Sequence, residues 1–309
     1  MQFGFYLPNH GPTARPEPLK SIAQLGDKLG YYCMVAGDHI LVPKQIESPY
    51  PYTVGGEFHG AGSGEYFEQL TLLTYLAGVT ENIRLVPSVM IVPYRPPLLA
   101  AKILATLDVL SQGRLTLGVG VGWMKEEFDA VGRPWDRRGS RADETLEVFE
   151  ALFEEGLSTY HGTWTEFRDI GFSPKPVNNH IPVWVGGHSS AAFKRTAKFG
   201  DAFHSAFAHP DLLSRQWAAV ETECEIAGRD FGELELTSLF RLNFEGGNLD
   251  EGEIGGGTEQ VIDQVGRYAE VGLSHAAFFV LGRGNDGRLD AINRFAEEIA
   301  PHFSNQTEV

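Results

Sequence analysis

Cysteine is almost missing from this chain: Cys33 and Cys224 are the two present in 309 residues, and they form no CxxC pair. A disulfide framework and a cysteine-built zinc site are therefore excluded, and a reducing compartment is expected. Long apolar runs are missing as well. No stretch approaches the roughly 18 apolar residues that span a bilayer. The start, MQFGFYLPNHG, has no basic segment leading into an apolar run of the kind that directs secretion. Basic residues are in deficit, with 25 Lys and Arg against 41 Asp and Glu and a net charge of -16. Such a surface repels phosphate backbones and anionic lipid. Nucleic acid and membrane are excluded as partners, and a cytoplasmic protein acting on a small molecule is expected.

What the chain does have is an ordinary globular composition, 42% hydrophobic and 21% charged, enough for one large core. Short apolar, β-rich runs recur at 2–8, 32–37, 83–92, 114–121, 182–186, 201–207, 235–244 and 275–281. Segments of helical period alternate with them at 18–29, 67–79, 98–110, 141–153, 191–199, 211–227, 259–271 and 289–300. Eight strand-plus-helix units predict an α/β fold, a single (β/α)8 TIM barrel over residues 1–309, in preference to an open doubly wound sheet. The dinucleotide fingerprint is also missing where it should stand, since the first strand runs into Pro8, Asn9 and His10 rather than GxGxxG.

Three segments interrupt the alternation. Residues 40–66, rich in Pro, Gly and Tyr, form a long insertion after the second strand. Residues 160–177 read as a loop with a turn at Gly162, and the glycine-rich, acidic stretch 245–257 after the seventh strand reads as a lid.

A closed α/β barrel places its active site at the C-terminal strand ends. Those ends carry Asn9 and His10, Asp38 and His39, Ser88 and Val89, Gly120 to Trp123, Gly186 to His188, and Gly282 to Gly284. Imidazole exchanges a proton near neutral pH and a carboxylate orients it, which makes His39 with Asp38 the catalytic candidates. Gly120 and Gly122 would let a flat cofactor approach the backbone. Gly186 and Gly187, followed by His188 and a helix, offer backbone amides and a positive helix end to a phosphate. Tyr50, Tyr52, Phe58 and Trp123 could line a substrate pocket; Lys44, Arg95 and Arg283 could meet an anionic cofactor tail or substrate, but solvated surface charge is the expected reading. No metal is expected: the HxH pattern of barrel hydrolases is missing, and no strand run holds the lysine of a Schiff-base aldolase.

GDHILVPK at 37–44, IRLVPSVMIVPYRPP at 83–97, ATLDVLSQGRLTLGVGVGW at 105–123, and IPVWVGGHS at 181–189 followed by GDAF at 200–203 occur in that order. On these motifs the chain resembles the luciferase-like flavin and deazaflavin oxidoreductases over nearly its whole length, and the deazaflavin branch in particular. The resemblance implies coenzyme F420 as cofactor, with FMN as the alternative. It implies a base at His39, a non-prolyl cis peptide at Ser88–Val89 behind the cofactor ring, and Asn9, Gly120, Gly122, Gly186, Gly187 and His188 around the cofactor. It also implies a homodimer packed through barrel helices. Trp123 stands where the sugar-phosphate branch carries an acidic glutamate, which argues against that substrate and leaves the proton donor unassigned. The expected reaction is hydride transfer between reduced deazaflavin and a small organic substrate. The alternative is a two-component monooxygenase using O2 and FMN reduced by a separate reductase, and a more remote one is a non-catalytic flavin-binding protein.

Overall fold

The computed structural model describes the chain except residues 12, 54, 59–65, 247–251, 281–283 and 304–309. Its elements follow the expected alternation. β1 (Gln2–Tyr6), α1 (Pro16–Lys28), β2 (Cys33–Ala36) and α2 (Gln69–Ala77) precede a third strand in two halves, β3 (Arg84–Pro87) and β4 (Met90–Ile91). Then come α3 (Pro97–Leu110), β5 (Leu117–Gly120), α4 (Lys125–Ala130), α5 (Arg138–Phe153), β6 (Leu157–His161), β7 (Glu166–Gly171), β8 (Val183–Gly186) and α6 (Ser190–Phe199). β9 (Ala202–Ala206), α7 (Pro210–Ala227), β10 (Glu235–Asn243), β11 (Glu253–Gly255), α8 (Thr258–Glu270), β12 (His275–Val280) and α9 (Gly284–Arg294) follow.

Hydrogen-bonded neighbours run β3-β2-β1-β12-β10-β9-β8-β5-β4, with β11 parallel on the side of β10. The ring closes because both halves of the third strand reach the β5 segment. Leu85 bridges Leu115 in parallel sense, its N–H donating to Arg114 O and its carbonyl accepting from Thr116 N, both at 3.0 Å. Farther up, Met90 pairs with Val119 and Ile91 with Gly120. With β3 and β4 sharing one position, the barrel has eight.

Two apolar layers hold it. Side chains on the outer strand faces, such as Leu85, Val119, Phe203 and Phe278, pack against helix residues such as Leu19, Ile22, Leu104 and Leu146. Alternate residues point inward, where Cys33, Val35, Val86, Trp184, Ala202, Leu239 and Ala277 fill the lumen. α1 shows the sequence logic: Leu19, Ile22, Ala23 and Gly26 are its buried residues, one stripe at helical spacing. α2 and α3 are apolar nearly all round and leave Tyr75, Leu98, Leu99, Val109 and Leu110 exposed.

Residues 160–177 are not a loop throughout. β6 and β7 form an antiparallel hairpin about Gly162, and Glu144 of α5 accepts from Thr163 N and Trp164 N. Of the expected lid at 245–257, residues 247–251 lie outside the described residues, and Glu253–Gly255 make β11.

Candidate active site

The wall of the barrel mouth is built around Val89. The Ser88–Val89 peptide is cis, and it lies between the two halves of the third strand. A Cβ on Gly120 would sit 2.4 Å from Val89 Cγ2, and one on Gly186 would sit 2.9 Å from Val89 Cγ1. Glycine at the ends of β5 and β8 therefore makes room for the valine side chain itself. Ser88 points into the lumen and meets His204 Nε2 at 2.8 Å, while His204 Nδ1 meets Thr237 Oγ1 at 2.7 Å. The Thr237 hydroxyl donates to Phe203 O at 3.3 Å, so it accepts from Nδ1–H, and Ser88 Oγ–H donates to a bare Nε2. Burial, reinforced by the charge of His275, lowers the His204 pKa to about 4 and keeps the ring neutral.

Above this wall, His39 follows β2. Its Nδ1 lies 2.9 Å from Oε2 of Glu127, a fully buried residue of α4. The same Oε2 accepts from the Tyr94 hydroxyl at 2.8 Å, and Oε1 accepts from Ile40 N at 2.6 Å and Leu41 N at 3.2 Å. A carboxylate with these donors is an acceptor only, so His39 presents Nδ1–H to it and turns Nε2 outward. Burial, then the charge of Glu127 and the bond to it, pushes the Tyr94 hydroxyl far above its ordinary range.

Asp38 does not orient His39. Its carboxylate takes Arg95 in a two-pronged pair, Nη1 to Oδ2 at 2.6 Å and Nη2 to Oδ1 at 2.9 Å, and Oδ2 also accepts from Ile91 N at 2.8 Å. Arg95 donates a further bond to Glu68 at 2.7 Å. Arg95, expected as a surface charge, is thus a buried cation that ties β2 to the chain after β4 and to the start of α2. The reason is local: Asp38 and Glu68 supply the countercharge that makes its burial tolerable. Lys44 is exposed as expected. Gly282 and Arg283 lie outside the described residues.

The insertion brings its rings over the mouth. Tyr50 and Phe58 lie 5.0 and 5.2 Å from Trp123, and Phe58 lies 5.3 Å from His39. Tyr52 meets His188 edge-on at 5.1 Å. Tyr66 closes the segment by stacking on His10 at 4.8 Å and packing edge-on to His39 at 5.0 Å. Asn9 is fully buried, with Nδ2 donating to Gly37 O and Oδ1 accepting from Tyr6 OH. It fixes the β1 and β2 ends to each other through bonds that use both ends of its amide.

Beyond β8, Gly187 adopts φ +124°, a conformation closed to other residues, and Ser189 caps α6 through Ala192 N at 3.3 Å. Among the described residues the amides of Gly187, His188 and Ser189 donate to no protein acceptor. A turn with free amides at a helix start is a place where a phosphate fits. Burial lowers the His188 pKa despite its bond to Ala206 O, so the imidazole there is a neutral partner. Among the described residues no group of three or more His, Cys, Asp and Glu is placed to hold a metal, and no helix is long and apolar enough to cross a membrane.

The structure therefore gathers His39, Ser88, Val89, Gly120, Trp123, Tyr50 and Phe58 at one mouth, with Gly186 to His188 on its rim. Sequence reading missed Glu127, Tyr94 and His204. Two of the three left signals, Glu127 in the Glu126–Glu127 pair just after GVGVGW and His204 as a histidine on an inward-facing strand position.

Comparison with known proteins identifies the family and the fold. The luciferase-like monooxygenase family matches residues 1–243, and the chain belongs to that family. By that membership it is an oxidoreductase. An uncharacterized protein of Mycobacterium tuberculosis is 32% identical over 245 residues, 79% of this chain and 80% of its own. The FMNH2-dependent dimethylsulfone monooxygenase of Pseudomonas putida is 32% identical over 146 residues, 46% of this chain and 40% of its own. An F420-dependent secondary alcohol dehydrogenase, solved with an F420–acetone adduct, superposes with a TM-score of 0.79 at 17% identity, covering 97% of this chain and 98% of its own. That last likeness is one of fold.

Proposed function

We propose that this protein transfers a hydride between coenzyme F420 and a small organic substrate, with His39 as the residue that handles the proton. The observation that carries the reading is the His39–Glu127 pair. Buried Glu127 takes Nδ1–H, which leaves Nε2 without a protein partner among the described residues, on a ring set among Phe58, Tyr66 and Trp123. A bare Nε2 accepts the proton released when a substrate hydroxyl carbon gives up hydride, and Glu127 stabilises the imidazolium that results. In the reverse direction the imidazolium returns that proton. Trp123, Tyr50 and Phe58 exclude water and shape the substrate pocket, while Asp38 and Arg95 position the loop that carries His39.

The residues present fit a cofactor of this shape. Val89, nested between Gly120 and Gly186, offers a small apolar wall to a planar ring, and the Gly187–Ser189 amides suit its phosphate. When bound, F420 supplies or takes up the hydride, whereas FMN reduced by a separate reductase would instead bring O2 chemistry. The FMN reading is kept because a curated relative carries that name. Asn9 and Gly122 support the ring site through the backbone they fix. We further infer a cytoplasmic, one-domain protein and a homodimer formed through the apolar outer faces of α2 and α3.

The test is His39→Ala. Turnover should fall by about 100-fold or more, the usual worth of a positioned acid–base group, while F420 affinity stays within a factor of about two. Unchanged turnover would remove His39 from the mechanism.

A further inference from the structure

Arg241 sits in β10 at a position that the reaction as proposed does not use. Thr237 bonds His204 in the lumen and Leu239 belongs to the inner apolar cluster. Alternation by two therefore puts Arg241 on the same inward face, one step nearer the mouth. Its register partner on β12 is Phe279, and its guanidinium lies 4.2 Å over the Phe207 ring beyond β9. Phe207 and Phe279 both pack on the lumen cluster. In the strand order β10 lies four positions from the third strand in a ring of eight, so Arg241 stands across the mouth from Ser88–Val89. Its charge also reaches the Tyr50 hydroxyl of the insertion, opposing the rise that burial imposes there.

Most other inward or half-buried arginines of this chain are occupied. Arg95 and Arg195 take carboxylates, and Arg84 and Arg114 donate to carbonyls and hydroxyls. Arg141, whose guanidinium lies over Trp164 beside the β6–β7 hairpin and whose Nε is unpartnered, is an exception, and it lies away from the mouth. Among the described residues no carboxylate lies within ion-pairing distance of Arg241, and no hydrogen bond ties up its five donors. Arg241 is half-buried and stacked on Phe207, so its five donors are left for a ligand at the mouth.

We propose that Arg241 is the substrate-recognition residue of this site, and that the substrate carries an oxyanion, a carboxylate in its simplest form, on an apolar body. The cofactor plane against Val89 and the oxyanion against Arg241 place the substrate body between them, along the Tyr50–Tyr52–Phe207 rings. A planar guanidinium stacked on Phe207 presents its edge for a two-pronged bond to a carboxylate. This inference rests on the mouth being the active site.

The test uses benzoate and its neutral isostere benzamide as probes, titrated by calorimetry into the purified protein with and without F420. Wild-type protein should bind benzoate at least about tenfold more tightly than benzamide. Arg241→Met should erase that preference, and Arg241→Lys should keep part of it, both with F420 affinity unchanged. Equal affinities for the two probes, no binding of benzoate, a preference that survives Arg241→Met, or loss of F420 binding in that variant would each overturn the assignment. A benzoate preference that depends on Arg241 in a protein that fails to bind F420 would instead overturn the cofactor reading and leave Arg241 in place.

Discussion

Two neighbouring carboxylates on α4 divide the work at the mouth. Glu127 holds His39 and the start of the insertion. Glu126, one residue earlier, accepts from Glu47 N at 2.6 Å, Ser48 N at 3.0 Å and Ser48 Oγ at 2.7 Å. Burial alone would raise the Glu126 carboxyl, yet the hydrogen bonds it accepts pull it down to about 2. Because its folded value lies below the ordinary one, its contribution to stability is fully present above about pH 4.5 and is lost as the pH falls toward about 2. Glu126→Gln should therefore lower stability at pH 7 by about 1 kcal/mol, the worth of hydrogen bonds to a charged group reduced by solvent screening at a largely exposed site. In urea unfolding the gap should close as the pH drops through that window, and a gap independent of pH would contradict the assignment. At this scale the sequence pointed to His39 and Ser88–Val89, because strand ends are where a barrel puts its chemistry, and the structure sets the first after β2 and the second, as a cis peptide, between the halves of the third strand. It could not reveal that Glu127 rather than Asp38 serves His39. That pairing joins residues 88 apart, and Asp38 is closer in sequence but already engaged by Arg95.

Elements were legible where their periodicity was strong. The eight barrel strands and their helices follow the expected segments because each buries a continuous apolar face. The β6–β7 hairpin escaped notice because most of its side chains are exposed, so no apolar alternation marks it. α4, six residues long, and β11, three residues long, are too short for a period to show. α2 and α3 pose the opposite case, with apolar side chains left over after the core is packed. Leu99 is 53% and Leu110 58% exposed on α3, and positions eleven residues apart fall on nearly the same helix face. If that face is the dimer contact, Leu99→Lys combined with Leu110→Lys should convert a dimer into a monomer in sedimentation velocity, with the far-ultraviolet spectrum unchanged. A monomeric wild-type protein, or a doubly substituted one that remains dimeric, would contradict it.

For the molecule as a whole, a barrel is expected from a count of eight alternating units, its closure is supplied by the pairing of the third strand with the β5 segment, and the family follows from the ordered motifs at the strand ends. The cofactor does not follow from either. A wall formed by Val89, a set of free amides at the start of α6 and a histidine held by a buried carboxylate serve a deazaflavin or a flavin equally well in shape. What separates the two is reactivity with oxygen, since deazaflavin has carbon where flavin has the ring nitrogen that supports reaction with O2. The direct measurement is to titrate the purified protein with F420 and with FMN, then follow reoxidation of each reduced form with and without air. We expect F420 to bind and its reduced form to be stable in air until an oxidised substrate is supplied. Tight FMN binding with O2-dependent reoxidation, and no binding of F420, would contradict the proposed function.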